Sequence, residues 1–168
     1  MHFEVTTPRE YLEEVTLPNF EEFRREENHL SARHAINAVL TAFHLHEWVF
    51  SYYASLEPSK IYGATTIGNY RDRLVGDGLT ELPLIRDIAV GAKHLTLKEN
   101  HVGLGASRRG GESWETISWD DLGGAHKDHF VFSVNNERHF PGVTEVNFEM
   151  RLASYVRWWK GAFVKYAL

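Results

Sequence analysis

The feature that most constrains the fold is a long helical periodicity in the first third of the chain. Between residues 32 and 50 the apolar side chains recur at helical spacing on one face, at Ala32, Ile36, Val39, Leu40, Phe43 and Phe50. Glu57-Pro58 ends this pattern, because a residue before proline disfavours the helical region. After an extended lead-in of about 17 residues, we predict helix from an N-cap at Asn19 to Leu56, broken near Asn28–Ser31.

Two shorter helices and a change of period follow. We predict a helix at about Thr66–Val75 and another from Thr80 to about Leu95, with Leu84, Ile85, Ile88, Ala92 and Leu95 on its core face. Apolar residues then alternate along the chain, most clearly at Phe130, Phe132 and Val134. Trp114–Trp119 would supply a middle strand, and Gly105–Gly111 would form an exposed hairpin loop.

A final helix is predicted at about Glu145–Tyr166, capped by Thr144. Its apolar side is formed by Phe148, Leu152, Tyr155, Trp159 and Phe163. These segments together predict one α+β domain over residues 1–168. It would be a helical bundle (about 19–95) with a small antiparallel β-meander (about 95–140), inserted before a long C-terminal helix (about 144–166).

Composition narrows the classes of function. The chain has no cysteine, which excludes a disulfide-linked partner and thiolate metal sites. Its formal net charge of −5 argues against general charge-driven adhesion to nucleic acid or anionic membrane. No apolar run approaches the ~18 residues that span a bilayer, and no signal peptide is visible, so we expect a cytoplasmic protein without a membrane partner.

The long helix carries a polar stripe beside its apolar face. At about 100° per residue, His34, Asn37, Thr41 and His44 fall together, whereas Glu47 falls close to Ile36, nominally inside the core face. A carboxylate placed there should be paired or have a raised pKa, because burying it charged and alone is costly. The stripe is either a solvated face, with Glu47 at the edge of the helix bonding a neighbouring Arg or Tyr, or a polar pocket between helices. The pocket hypothesis makes His44 a candidate for catalysis and His34, Asn37 and Glu47 candidates for binding.

The helix that ends near Leu95 concentrates chemically useful side chains. Projection stacks Asp87 on His94 and Arg86 on Lys93, on the side opposite the core residues. A histidine can move protons near neutral pH, an arginine or lysine can stabilise developing phosphorane charge, and an aspartate can orient either. These four residues are therefore candidate catalytic residues, although an ordinary charged helix surface would have the same composition.

Metal and phosphate sites are the remaining candidates. His44 and His46 point about 200° apart on a helix and cannot share one ion, and neither His-Glu-x-x-His nor a Glu-x-x-His pattern is present, so we predict no metal site and no cofactor. Histidines on different helices could still meet, which keeps a His-rich metal-dependent enzyme as an alternative. Arg108 and Arg109, between glycines, could bind a phosphate.

A resemblance enters with the segment Ile85-Arg-Asp-Ile-Ala-Val-Gly-Ala-Lys-His-Leu95, which follows a His-rich helix ending in Glu47-Trp48. It resembles a segment that recurs in a group of uncharacterised bacterial proteins. More distantly, it is similar in layout to the HEPN superfamily of helical ribonucleases. Members of that superfamily carry an Arg, often a polar residue next to it, and then a His. As a rule they dimerise to form a metal-independent cleft that cleaves RNA.

The resemblance implies roles for this chain. His94 would act as general acid or base, Arg86 would stabilise phosphorane charge, and Asp87 and Lys93 would support them. RNA would be the substrate, and the protein would be a homodimer in a toxin or phage-defence system. A non-enzymatic dimeric interaction or regulatory module is the alternative, alongside the metal-dependent enzyme.

Overall fold

The structure is a computed structural model that describes residues 4–25, 31–93, 104–109, 112–113, 131–134 and 145–168, without the side chains of residues 32, 92–93 and the strand residues before 147. Its elements in chain order are α1 (Pro8–Glu10), a π-helical segment (Tyr11–Thr16), α2 (Leu17–Arg24), α3 (Ala32–Leu56), a 3-10 helix (Pro58–Ile61), α4 (Ile67–Gly76), α5 (Leu82–Lys93), β1 (Leu104–Arg109), β2 (Glu112–Ser113), β3 (Val131–Val134), β4 (Glu145–Asn147) and α6 (Phe148–Lys165).

The core of the described residues is formed by helices and their connections. The long helix α3 lies at the centre and packs against the π-helical segment, α2, α4, α5 and α6. The predicted apolar sides of two partner helices are confirmed, because Leu84 and Ile85 of α5 and Leu152 and Trp159 of α6 are all fully buried. Within the described part of the chain, none of the helices has both the length and the apolar character needed to cross a membrane.

The predicted α+β class is wrong, because the part of the chain that the structure describes is mostly helical. The four strands are short, with six, two, four and three residues. The strands are antiparallel in the order β2-β1-β3-β4. In a meander β3 would pair with β2, but here it pairs with β1. The expected hairpin loop Gly105–Gly111 overlaps β1, and the expected strand Trp114–Trp119 lies outside the described residues. Among the residues whose burial the structure describes, the buried aromatic and aliphatic side chains lie on the helices and their connections.

The lead-in predicted as extended is also wrong, because α1, the π-helical segment and α2 run on as one helix from Pro8. Thr7 and Glu10 form a capping box at its start. The helix accommodates Pro18, at the start of α2, after a π-helical stretch, where the wider turn relieves the clash between a proline ring and the preceding turn. Asn19 is thus inside the helix rather than at its cap, and its side chain donates to the carbonyl of Val15 at 2.8 Å.

The buried face of α3 is turned by about 100° from the predicted one. The predicted core residues Val39 and Phe43 are buried, but Ile36 and Phe50 are only half-buried. Ala38, Leu45 and Val49, which lie outside the predicted face, are fully buried. Small and aliphatic residues allow closer packing than the larger apolar residues that dominated the pattern. Two polar residues therefore lie elsewhere than predicted. Glu47 lies at the edge of the core, and His46 lies inside it.

Two helix starts show how capping sets the boundaries. The helix predicted at Thr66–Val75 is confirmed, and the Thr66 hydroxyl accepts from the backbone amide of Asn69. The C-terminal helix begins at Phe148 rather than at Glu145, because Asn147 caps it by accepting from the amide of Met150 at 3.0 Å. The residues just before it form β4.

Candidate functional site

Glu47 on α3 is the centre of a four-residue polar cluster. His44 Nδ1, one turn earlier on the same helix, lies 2.7 Å from Glu47 Oε2. Arg71 reaches in from α4 and donates from Nη2 to Glu47 Oε1 at 3.0 Å and from Nε to His46 Nε2 at 2.8 Å. The Arg71 guanidinium also lies 5.5 Å from the centre of the Phe43 ring. The predicted pairing of Glu47 is therefore confirmed, with Arg71 and His44 as its partners.

The hydrogen bonds fix the protonation of His46, which is 0% exposed. Its Nε2 accepts from Arg71, so the ring is neutral and carries its hydrogen on Nδ1, which donates to the carbonyl of Phe43. Burial, and then the charge of Arg71, lower the pKa of His46 to about 4. His46 therefore remains an uncharged acceptor for Arg71 at neutral pH.

Glu47 remains ionised although it is partly buried. Burial by itself raises the pKa of the Glu47 carboxyl, but the hydrogen bond from His44 and the nearby charges, including that of Arg71, outweigh burial and hold this pKa below its ordinary value. The charge of Glu47 also acts on Tyr11: burial, and then this charge, raise the pKa of the Tyr11 hydroxyl to about 12. The cluster thus presents a carboxylate next to a tyrosine that keeps its proton.

An open pocket of about 550 Å³ adjoins this cluster, between the π-helical segment and α3. It is lined by Tyr11, His44, Glu47, Trp48, Ser51 and Tyr52. Tyr11 and Trp48 stack with their ring centres 4.8 Å apart and their planes 20° apart. The pocket therefore combines aromatic rings with the His44–Glu47 pair, as a ligand site does.

The structure places the Arg86–Asp87 pair differently from the prediction. Asp87 was expected on the side of α5 away from the core, yet it is 0% exposed and accepts from Arg86 Nε at 2.8 Å. Arg86, 32% exposed, covers this buried carboxylate, because an unpaired buried charge would be costly. His94, the side chain of Lys93, and those of Arg108 and Arg109 lie outside the described residues.

The remaining predicted binding residues lie nearer the N-terminal end of α3. His34 Nε2 is 3.1 Å from an Arg33 guanidinium nitrogen and 3.8 Å from Glu22 on α2. Asn37 is exposed, with its backbone carbonyl accepting from the Thr41 hydroxyl. The structure thus brings His44 and Glu47 together, and neither His34 nor Asn37 lines the pocket beside them. Among the described residues, no group of three or more His, Asp or Glu side chains is arranged to hold a metal ion.

Sequence reasoning missed Arg71, His46 and Tyr11. Arg71 lies on a short helix that gave no polar pattern, and its importance depends on how α4 packs against α3. His46 could have been found by a projection centred on Ala38, Ala42 and Val49, because that projection would have put a histidine in the core. Tyr11 was assigned to an extended segment, and no sequence signal that we used placed it beside Trp48.

Comparison of the chain with protein-family models, curated proteins and solved structures found no match. Any functional conclusion must therefore come from the site itself.

Proposed function

We propose that this protein is a ligand-binding module whose pocket receives a small organic group next to an acid–base imidazole, that of His44. The observation that carries the proposal is the 2.7 Å contact between His44 Nδ1 and Glu47 Oε2 in an open pocket lined by aromatic rings. A carboxylate can only accept, so this contact keeps the hydrogen of the neutral imidazole on Nδ1. Nε2 then carries a lone pair that can accept a proton or a hydrogen bond.

The cluster holds this imidazole in one orientation. Arg71 binds the other oxygen of Glu47 and is itself held by the buried ring of His46. A carboxylate that is fixed at both oxygens favours a single tautomer of its histidine partner, as in acid–base sites that work without a metal. The half-buried aromatic rings of Trp48 and Tyr52, which line the pocket, would supply contact area for the ligand.

The experiment that tests this proposal is a fragment titration followed by NMR of Trp48 and His44. Small neutral, anionic and cationic molecules are added separately. We expect at least one class to shift the Trp48 indole and His44 ring signals together, and Glu47→Gln to reduce that shift. Glu57→Gln, at the end of the same helix, is the matched control and should bind like the unmodified protein. If no class shifts either signal, the pocket is not a ligand site.

A metal-independent ribonuclease is the second candidate function. The observation that favours it is an imidazole beside aromatic rings, because ribose-phosphate cleavage needs an acid–base group and bases can stack on such rings. In this version His44 takes the catalytic part that the HEPN resemblance gives to His94. The superfamily's homodimer, cytoplasmic location and role in toxin or phage-defence systems would come with it.

Cleavage of labelled RNA in the presence of EDTA tests the second candidate. If the ribonuclease proposal is correct, His44→Ala abolishes cleavage and His34→Ala, on the same helix, leaves it intact. Loss of cleavage in Arg86→Ala but not in His44→Ala would indicate that the catalytic residues are those of α5 and not His44. Intact RNA at every protein concentration would leave a non-enzymatic module, whose predicted dimer is measured by analytical ultracentrifugation.

A further inference from the structure

The pocket between the π-helical segment and α3 combines aromatic faces with one carboxylate. We propose that its ligand is a substituted ammonium group, such as a methylated amine. This inference rests on the pocket of the proposed function and adds the chemical class of the ligand. It is independent of whether His44 transfers a proton.

The aromatic rings provide the first argument. Trp48 stacks on Tyr11, and Tyr52 follows one turn later on α3 and also lines the pocket. The face of an aromatic ring carries partial negative charge and attracts a cation, most strongly in tryptophan. A methylated ammonium is well suited to such faces, because it has few or no N–H donors that the rings would leave without acceptors, whereas a primary ammonium is strongly hydrated.

The protein's own cations provide the second argument. Described arginines and lysines lie over rings elsewhere in the fold, for example Arg9 over Phe163 at 5.6 Å and Lys60 over Tyr53 at 4.8 Å. Among the cation–ring contacts of the described residues, none involves the three rings of the pocket. Tyr11 is largely buried, so the half-buried rings of Trp48 and Tyr52 are the ones that a cation in the pocket would contact.

Charge provides the third argument. Glu47 is an ionised carboxylate in the pocket lining, and the lining residues that the structure describes include no lysine or arginine. Arg71 contacts Glu47 but does not line the pocket. An anion would meet the carboxylate, and an uncharged apolar ligand would cover that carboxylate without replacing its water. The chain's net charge of −5 also favours a cation at long range.

The test compares choline with 3,3-dimethylbutan-1-ol, an uncharged molecule of the same shape. Both are titrated into the whole chain and their affinities are measured by isothermal titration calorimetry, while the indole signal of Trp48 in the unmodified protein reports by NMR where they bind. We expect choline to bind roughly tenfold or more tightly than the alcohol, the difference that a cation–π contact of moderate strength produces. Methylguanidinium is a third probe, and we expect it to bind more weakly than choline.

Variants connect the binding to the named residues. Trp48→Leu and Glu47→Gln should each weaken choline binding by about tenfold, whereas Trp48→Phe should keep most of it. Glu57→Gln removes the same charge outside the pocket lining and should leave the affinity unchanged. Circular dichroism of each variant shows that it is folded.

Three outcomes overturn the inference. Equal binding of choline and the alcohol would mean that shape rather than charge is recognised. Tighter binding of methylguanidinium would identify a different cation. Binding of an anionic or neutral fragment without choline would leave the proposed ligand-binding function standing while removing this ligand class. The last result therefore separates failure of the inference from failure of the proposed function.

Discussion

Replacing the buried His46 with glutamine should remove a large part of the protein's sensitivity to acid. In the folded chain the pKa of His46 is about 4, compared with an ordinary value of 6.5. The unfolded chain therefore binds a proton at a higher pH than the folded chain does. The stability that His46 contributes is fully present above pH 6.5 and is lost as the pH falls through 4.

The size of this effect follows from the two pKa values. Between pH 7 and pH 4 the difference corresponds to about 3 kcal/mol of unfolding free energy. Burial is the larger cause and the charge of Arg71 the second, so a side chain that accepts from Arg71 but does not titrate removes the effect. In His46→Gln the amide oxygen can accept from Arg71 Nε. The lost contact with Phe43 should lower stability at pH 7 by about 1 kcal/mol.

The assay is urea unfolding followed by far-ultraviolet circular dichroism at several pH values from 8 to 4. Glu47 and Asp77, whose pKa values are also lowered, lose stability in acid in both proteins. The difference between the two curves therefore isolates His46, and it should narrow and then reverse as the pH falls. Asn37→Ala, an exposed change on the same helix that removes no titrating group, retains His46 and should retain the wild-type slope between pH 6.5 and 4. Parallel curves for the unmodified protein and His46→Gln would refute the reasoning.

Three further changes test local parts of the fold. Asp77→Asn weakens an acceptor that the hydroxyl of Tyr166 reaches at 2.5 Å, so we expect a loss of about 1 kcal/mol near pH 7. Because the pKa of Asp77 is lowered, that loss should shrink as the pH falls and the unmodified carboxylate is protonated, as chemical denaturation at pH 7 and 3 would show. Gly78→Ala should destabilise by about 1 kcal/mol or more in the same assay because Gly78 has φ +100°, whereas Gly76→Ala, in open space at the end of α4, should stabilise slightly. Thr66→Ala removes the N-cap of α4 and should lower the melting temperature through a loss of about 1 kcal/mol, whereas Thr66→Ser should retain most of it.

The helices were predicted well where the helical spacing of apolar residues agreed with a capping residue or a proline at the helix end. Leu56 was the expected end of α3 because a proline follows closely, and Thr66 was the expected start of α4. The prediction failed at the N-terminus, where the first 17 or so residues were expected to be extended, although a helix runs from Pro8 through a π-helical stretch and past Pro18. It failed for the fold class because a clean alternation near Phe132 indicated a strand, whereas most of the residues that the structure describes are helical.

The candidate site was predicted in part, and the missing part has a physical cause. His44 and Glu47 are one turn apart on one helix, so their contact follows from local geometry. Arg71 and Tyr11 come from other elements, and their positions depend on packing that a single sequence does not encode in its local pattern. Asp87 was misplaced because an aspartate between Arg86 and Ile88 has the composition of a solvated surface, and only the fold shows that it is buried under Arg86.

The observed buried face of α3 is turned by about 100° from the predicted one, and this rotation explains the arrangement of the polar cluster. If Ile36 and Phe50 had been at the centre of the buried face, Glu47 would have been a buried carboxylate that required a partner of opposite charge. In the structure it is His46 that is buried, and Glu47 lies where it can contact both Arg71 and the pocket. A neutral histidine in the core can hold an arginine without introducing a second charge. The hydrogen bond from His44, with a smaller contribution from the charge of that arginine, keeps the pKa of the Glu47 carboxyl low at the edge of the core, where a ligand can reach it.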